Sequence, residues 1–298
     1  MTIQQFQYIL EVHRAGSVSQ AAKNLFVGQS SVSLSITNLE RELGYPVFIR
    51  SKQGVVPTKR GMEVIEHAAR ICESCRIISA PEQTGCAQIR IASGKFEAGQ
   101  RAAMRLLREN KGRRDVSFFF EQASQTEQIR KLSLFELDLS LCFVFSSRLH
   151  NLESRLRAKG LQWQGLAEFP AAIVLGPKHP LYAKPTVELS MLENDWLIDT
   201  ANRSMANSPL LNSIITVAPD RVLAIANPDL RNQLLREGLG YCVNAVTPHT
   251  PDELRRIPLE NHQFKLLAMY NPIRPLRTEV ERFLELLRQE LAVTEKHT

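Results

Sequence analysis

The sequence predicts an α/β protein: an N-terminal winged helix-turn-helix, a long helix, and then a larger region of alternating strands and helices. Three observations lead there. Helical spacing of apolar residues, broken at two turns, gives way to a period of two between residues 47 and 57. Two stretches, 12–39 and 43–62, hold no carboxylate. After residue 88, short apolar runs alternate with helical patterns, which implies an α/β domain with largely parallel pairing.

The N-terminal elements follow in order. Phe6, Ile9 and Leu10 mark one face of a helix over 3–15, and Gly16 stops it. Ser17 caps a short second helix whose Ala21, Ala22 and Leu25 face inward. The tight connection Phe26-Val27-Gly28 leads to a third helix over 29–43, with Val32, Ile36, Leu39 and Leu43 on its inner stripe and Gly44 at its end. Val47-Phe48-Ile49, the polar turn Ser51-Lys52-Gln53-Gly54 and Val55-Val56-Pro57 form a hairpin, with Gly54 supplying a positive φ. Thr58 caps a long helix over 59–79 striped by Val64, Ile65, Ala68, Ile71 and Cys75. Pro81 to Gly85 reads as a linker.

Beyond it, strands are predicted at 89–92, 116–121, 138–144, 171–175, 196–198, 241–243 and 265–270. Helices are predicted at 97–109, 126–134, 208–215, 228–237 and 279–292. The 228–237 helix is well punctuated: Asn227 as cap, Pro228 in the first turn, Gly238 past the end.

Composition narrows the function classes. A chain of 298 residues with 44% hydrophobic and 23% charged residues is of ordinary globular make-up, large enough to bury a full core without disulfides or metals. No apolar run approaches the roughly 18–20 residues of a membrane helix, and the N-terminus has no basic, apolar leader. The expectation is a cytoplasmic protein with no membrane partner. The five cysteines are irregularly spaced and odd in number, which argues against a disulfide framework. Gly238-Leu239-Gly240 opens a dinucleotide fingerprint, yet Val243 stands where its third glycine belongs, and a helix precedes it. There is no His-Glu-x-x-His and no Gly-x-Ser-x-Gly, so neither an enzyme nor a cofactor is expected. Trp163 and Trp196 read as packing residues, and Cys142 and Cys242 as small buried hydrophobes.

The net charge is +6, and its placement points to duplex DNA. A surface that meets phosphates must exclude carboxylates as well as supply cations. Opposite its inner stripe, the third helix presents Gln29, Ser30, Ser33, Leu34 and Thr37, small or polar side chains in its N-terminal half, the end from which a recognition helix reads base edges. Gln29 can pair bidentately with adenine. Arg50 and Lys52 in the wing, and Lys59 and Arg60 at the start of the long helix, are placed to meet backbone phosphates.

Phe6, Gly16-Ser17, Ala21-Ala22, Leu25, Gln29, Val32-Ser33, Ile36, Leu39-Glu40, Leu43-Gly44, Phe48, Arg50, Thr58 and Gly61 together resemble the DNA-binding domain of LysR-type transcriptional regulators. A looser likeness continues to the end of the chain through Pro177-Lys178-His179-Pro180-Leu181 and Gly238-Leu239-Gly240. The resemblance implies a DNA-binding domain at 1–58, a dimerisation helix at 59–80, a linker at 81–87 and a two-lobed effector-binding domain at 88–298 like a periplasmic binding protein. Lobe one would be 88–163 with 266–298, and lobe two 164–265. It also implies a homodimer or homotetramer on double-stranded DNA, a small-molecule effector in the interlobe cleft, and RNA polymerase as a partner. Gly28 departs from the family's Ser or Thr, Leu34 from its basic or polar residue, Glu237 from a small residue, and Asn244-Ala245 from a proline.

Open α/β sheets bind ligands beyond the carboxyl ends of their strands. That rule selects Ser93, Lys95, Ser124 and Gln125 in lobe one and Thr200, Asn202, Arg203 and Asn244 in lobe two. Lys95 and Arg203 together suit an anion. Two other readings compete: a small-molecule binding protein whose N-terminal domain only oligomerises, and a thiol redox sensor built on Cys72 and Cys75.

Overall fold

In the computed structural model, which describes residues 1–51, 54–79, 87–94, 96–199, 221–225, 227–247 and 253–295, local capping sets the N-terminal elements. Helix α1 (Ile3–Ala15) opens with a reciprocal capping box between Thr2 and Gln5 and closes at Gly16, at φ +64°. Ser17 caps α2 (Val18–Asn24) by accepting from Gln20 N. Gly44, at φ +77°, ends α3 (Gln29–Leu43). The wing is an antiparallel hairpin of β1 (Phe48–Ser51) and β2 (Gly54–Pro57). Its root is fixed by Glu40 of α3, whose Oε1 accepts from Val47 N at 2.7 Å and Phe48 N at 3.1 Å. Its tip is tied to the end of α1, where Gly16 O accepts from Val55 N at 2.9 Å. Helix α4 (Lys59–Ser79) begins where Thr58 Oγ1 accepts from Gly61 N. Ile9, Val12, Val32, Leu39, Val47 and Ile65 are fully buried in the core these elements share.

The rest of the chain runs β3 (Ala87–Ser93), α5 (Glu97–Glu109), β4 (Val116–Glu121), α6 (Gln125–Ser133), β5 (Leu139–Phe145), α7 (Leu149–Ala158), β6 (Gln162–Leu175), β7 (Leu197–Asp199), β8 (Val222–Ala224), α8 (Pro228–Arg236), β9 (Tyr241–Ala245), β10 (Arg255–Tyr270) and α9 (Thr278–Glu295). The strands form one sheet in the order β4-β3-β5-β10-β6-β9-β7-β8. Pairing is parallel within β4-β3-β5 and within β9-β7-β8. It is antiparallel through the middle, where β10 meets β5 and β6, and β6 meets β9. This corrects the expectation of largely parallel pairing. Two lobes that share one sheet are joined by strands that leave and return along the same line, and such strands must be antiparallel.

The long strands β6 and β10 make that crossing. Residues 162–169 of β6 pair with 264–270 of β10 beside β5, and residues 172–175 pair with 255–258 beside β9. Between them β10 leaves register at 259–262, with Asn261 at φ +61°. Helices α5 and α9 cover one face of the first lobe over Ile89, Ile91, Leu139 and Leu141. Helices α6 and α7 cover the other, over Val144, Leu267 and Met269. The second lobe centres on Ile173, Leu197 and Tyr241. The predicted helix 208–215 lies outside the described residues. Among those residues, no helix is long and apolar enough to cross a membrane.

Candidate nucleic-acid interface and interlobe cleft

Burial of Val32, Ile36 and Leu39 turns the opposite side of α3 to solvent, and Gln29, Ser30, Ser33, Leu34 and Thr37 are all exposed there. No side chain caps this helix: Gly28 serves through its carbonyl alone, which accepts from Ser31 and Val32 N–H. The first turn carries no acidic residue, so its amino end favours an anion. Thr37 Oγ1 donates to Ser33 O at 3.0 Å, which commits its proton to the helix. Leu34 is the apolar member of the face and is 61% exposed.

Around this face the predicted cations divide. Arg50 sits on β1 opposite Val55, and Lys52 lies outside the described residues. Lys59 is exposed at the amino end of α4. Arg60 has its guanidinium 4.3 Å over the Tyr45 ring, a stacking that holds it beside the end of α3. Sequence reasoning passed over Phe26, the turn residue just before α3. It adopts φ +56° and is 95% exposed. A solvent-facing aromatic in left-handed backbone violates two preferences at once, and that combination was visible only in three dimensions.

On α4, Ile65, Ala68 and Ala69 are buried against the chain's own domains, while Ile71 and Ile78 are exposed. A groove of about 270 Å³ lined by Phe6, Leu43, Tyr45, Val64, His67 and Ile71 runs beside that exposed stripe. Cys72 and Cys75 are half-buried one turn apart. Burial, and then Cys75 itself, pushes the Cys72 thiol up, away from the reactive thiolate a redox sensor needs. Burial also pushes the Cys142 thiol up to about 11.

Of the residues selected by the carboxyl-end rule, Ser93, Ser124, Gln125 and Asn244 are described, and each already makes a hydrogen bond within the chain. Ser93 ends β3 and donates to Gly94 O at 2.7 Å. Ser124 is the N-cap of α6, accepting from Glu127 N. Gln125 donates to Cys142 Sγ at 3.2 Å and accepts from Arg155 Nη1 at 3.1 Å, joining α6 to β5 and α7. Asn244, on β9 opposite Ala172, accepts from Ala245 N at 3.0 Å. Lys95, Thr200, Asn202 and Arg203 lie outside the described residues.

Unanticipated from sequence is a run of rings at the crossing. Phe145, the last residue of β5, meets the Phe264 edge at 5.1 Å and stacks on His262 at 5.6 Å. Phe143 lies 5.3 Å from Phe96 and 5.7 Å from Phe169. His262 Nδ1 is 2.6 Å from Glu260 O, a group that only accepts, so Nδ1 is the donor in this contact. His179, in the Pro177–Leu181 segment, is structural: it is buried, its Nδ1 accepts from Leu181 N, and burial lowers its pKa.

Comparison with known proteins agrees with this architecture. Residues 3–62 match the family described as bacterial regulatory helix-turn-helix protein, lysR family, and residues 87–292 match the LysR substrate binding domain. Among curated relatives, the small neutral protease regulatory protein of Streptomyces coelicolor is 29% identical over 194 residues, 62% of this chain and 59% of that protein. The nitrogen assimilation regulatory protein nac of Klebsiella aerogenes is 27% identical over 148 residues, 48% of each chain. The chain thus spans about half the length of these relatives. A full-length OxyR variant from Pseudomonas aeruginosa superposes with a TM-score of 0.67 at 19% identity, covering 99% of this chain and 98% of that one. An OxyR mutant from Corynebacterium glutamicum gives 0.52 at 16%, covering 99% and 94%. Both structures share the fold. With both of its domains matched, the chain belongs to the LysR family of bacterial regulatory helix-turn-helix proteins.

Proposed function

We propose that this protein is a sequence-specific, DNA-binding transcriptional regulator whose affinity or geometry on DNA is set by a small molecule bound between its two α/β lobes. The observation that carries the reading is the exposed amino half of α3: Gln29, Ser30, Ser33 and Leu34 stand free beside a wing, in a stretch without carboxylates. Gln29 reads a base edge. Ser30 and Ser33 contact base or phosphate. Arg50, Lys52, Lys59 and Arg60 neutralise the flanking backbone.

The exposed apolar stripe of α4 and the groove beside it support pairing of two chains through this helix. Two-fold pairing places two α3 helices on one face of the duplex and calls for an interrupted inverted repeat. Two such dimers make a tetramer, and RNA polymerase is the partner through which DNA geometry becomes transcription. The effector enters at the carboxyl ends of the lobe strands, near Ser93 and Asn244, and Lys95 and Arg203 are the candidate cations for an anionic group. This activity places the protein in the cytoplasm. The raised Cys72 thiol speaks against the redox alternative. Selection of genomic fragments on the purified full chain at two salt concentrations tests the proposal. It expects a recurrent interrupted palindrome and a steep loss of binding with salt. Recovery of fragments with no shared sequence removes it, and a flat salt response favours a binding protein whose N-terminal domain only oligomerises.

A further inference from the structure

The segments flanking both crossing strands reach the long helix. Lys159 lies between α7 and the start of β6, and its ammonium donates to both oxygens of Glu66 on α4, at 2.7 and 2.6 Å. Its carbonyl accepts from Arg70, one turn further along α4. Arg274 lies just after the end of β10. Its Nε donates to Glu73 of α4 at 2.7 Å and its Nη1 to Asp138 at 2.9 Å, while its guanidinium stands 5.3 Å from the Phe135 ring centre. Asp138 in turn accepts from Arg90 N on β3.

These contacts are built rather than incidental. Glu66 is 8% exposed, Glu73 7% and Asp138 7%, so each carboxylate has left water and depends on its partner. Glu66, Arg70 and Glu73 fall at i, i+4 and i+7, one stripe of α4 spanning about 10 Å. Across from them, Gln162 and Tyr270 are register partners, so the lobe-one ends of β6 and β10 lie side by side at that stripe. The connections just before β6 and just after β10, at the lobe-one ends of these strands, are therefore each fastened to the helix that follows the helix-turn-helix domain.

We propose that Lys159–Glu66 and Arg274–Glu73 form a two-point clasp by which movement of the second lobe, carried along β6 and β10, resets the angle of α4 and with it the bend imposed on DNA. The inference rests on the regulator reading above. Arg274 and Lys159 are positioning residues, touching neither DNA nor the cleft. The clasp differs from a general structural role in what it predicts: breaking it loosens α4 against lobe one and leaves the lobe itself intact.

The test uses the full chain with Lys159→Gln, Arg274→Gln and the exchange Glu66→Lys with Lys159→Glu. Amide hydrogen exchange is followed on peptides from α4 and from β3 and β5. Bend is read by energy transfer between dyes at the ends of a duplex chosen in the fragment selection, and binding to an isolated half-site is measured alongside. In each single variant, exchange in residues 63–76 is expected to rise by about tenfold or more while β3 and β5 stay protected. The bend is expected to change at unaltered half-site affinity. The exchanged pair is expected to restore both readouts towards the parent, and Arg274→Lys to restore them in part. Unchanged α4 exchange in both single variants overturns the clasp, as does an unchanged bend or equal loosening of β3 and β5. If no duplex is selected, the DNA reading fails, and the exchange experiment decides the clasp without it.

Discussion

Glu73 of α4 accepts hydrogen bonds from two arginines on different elements, Arg76 one turn away and Arg274 at 2.7 Å, 201 residues further along the chain. Burial alone would raise its pKa. The bonds and charges of Arg76 and Arg274 outweigh that and hold the carboxyl down to about 2, from an ordinary 4.5. A pKa depressed by folding adds stability that is complete above the ordinary value and is lost as pH falls towards the folded one. The difference in unfolding free energy between parent and Glu73→Gln is therefore expected to be largest at neutral pH, at most about 3 kcal/mol, and to shrink between pH 4.5 and 2. Urea unfolding at a series of pH values checks this. A difference that stays constant down to pH 2.5 would contradict it.

Gln29 opens α3, exposed and uncrowded by any cap side chain. Its replacement by alanine is expected to cost about 1–3 kcal/mol at one base position of the operator and to relax selectivity there. Competition binding with single-base variants of the selected site reads the effect. A uniform loss across all variants would instead place Gln29 on the backbone.

Leu34 leaves an uncharged, 61% exposed position on the solvent-facing side of α3, the face proposed to meet DNA. Leu34→Arg is expected to tighten binding to all sequences at low salt and to steepen the salt dependence by about one released counterion. The slope of log affinity against log salt measures it. An unchanged slope would put residue 34 beyond reach of the phosphates.

What the sequence disclosed was what local chemistry decides. Ser17, Gly16, Gly44 and Gly54 act within a few residues of themselves, so the helices and the wing could be read directly. The first half of β6 could not be read. It carries Gln162, Gln164 and Glu168 among its apolar residues and is held by pairing with β10, a partner about a hundred residues away. Ser124 shows the limit at the cleft: topology placed it correctly at a carboxyl end, while only the structure shows its hydroxyl spent on capping α6. Glu66, Lys159, Asp138 and Arg274 left no trace, since each looks like an ordinary surface charge until the fold brings its partner to it.

Gly61 sits in the first turn of α4 directly under the wing. A Cβ there would lie 1.9 Å from Val47 O and 2.9 Å from Thr58 Oγ1, the group that caps the helix. The closest neighbour is backbone, pinned by Glu40 through Val47 N and by Thr58 N through the same carbonyl. Gly61→Ala is expected to destabilise the N-terminal domain by at least about 2 kcal/mol and to abolish DNA binding through the lost wing–helix joint. Thermal unfolding with peptide-resolved exchange locates the damage. Loosening confined to residues 87–295 would count against it.

Phe26 offers the opposite case, a residue whose removal should stabilise the free protein. Its backbone is held at φ +56° by the turn, with its own N–H bonded to Lys23 O at 3.1 Å, and its ring is 95% exposed. Asparagine tolerates the left-handed region better than an aromatic residue, because its short polar side chain can bond locally. Nothing is lost from the core, since the ring packs against nothing there. Phe26→Asn is expected to raise stability by about 0.5–1 kcal/mol, with the urea m-value unchanged. A lower midpoint would mean that the ring is covered in the assembled protein, and repeating the measurement across protein concentrations would show whether a second chain covers it.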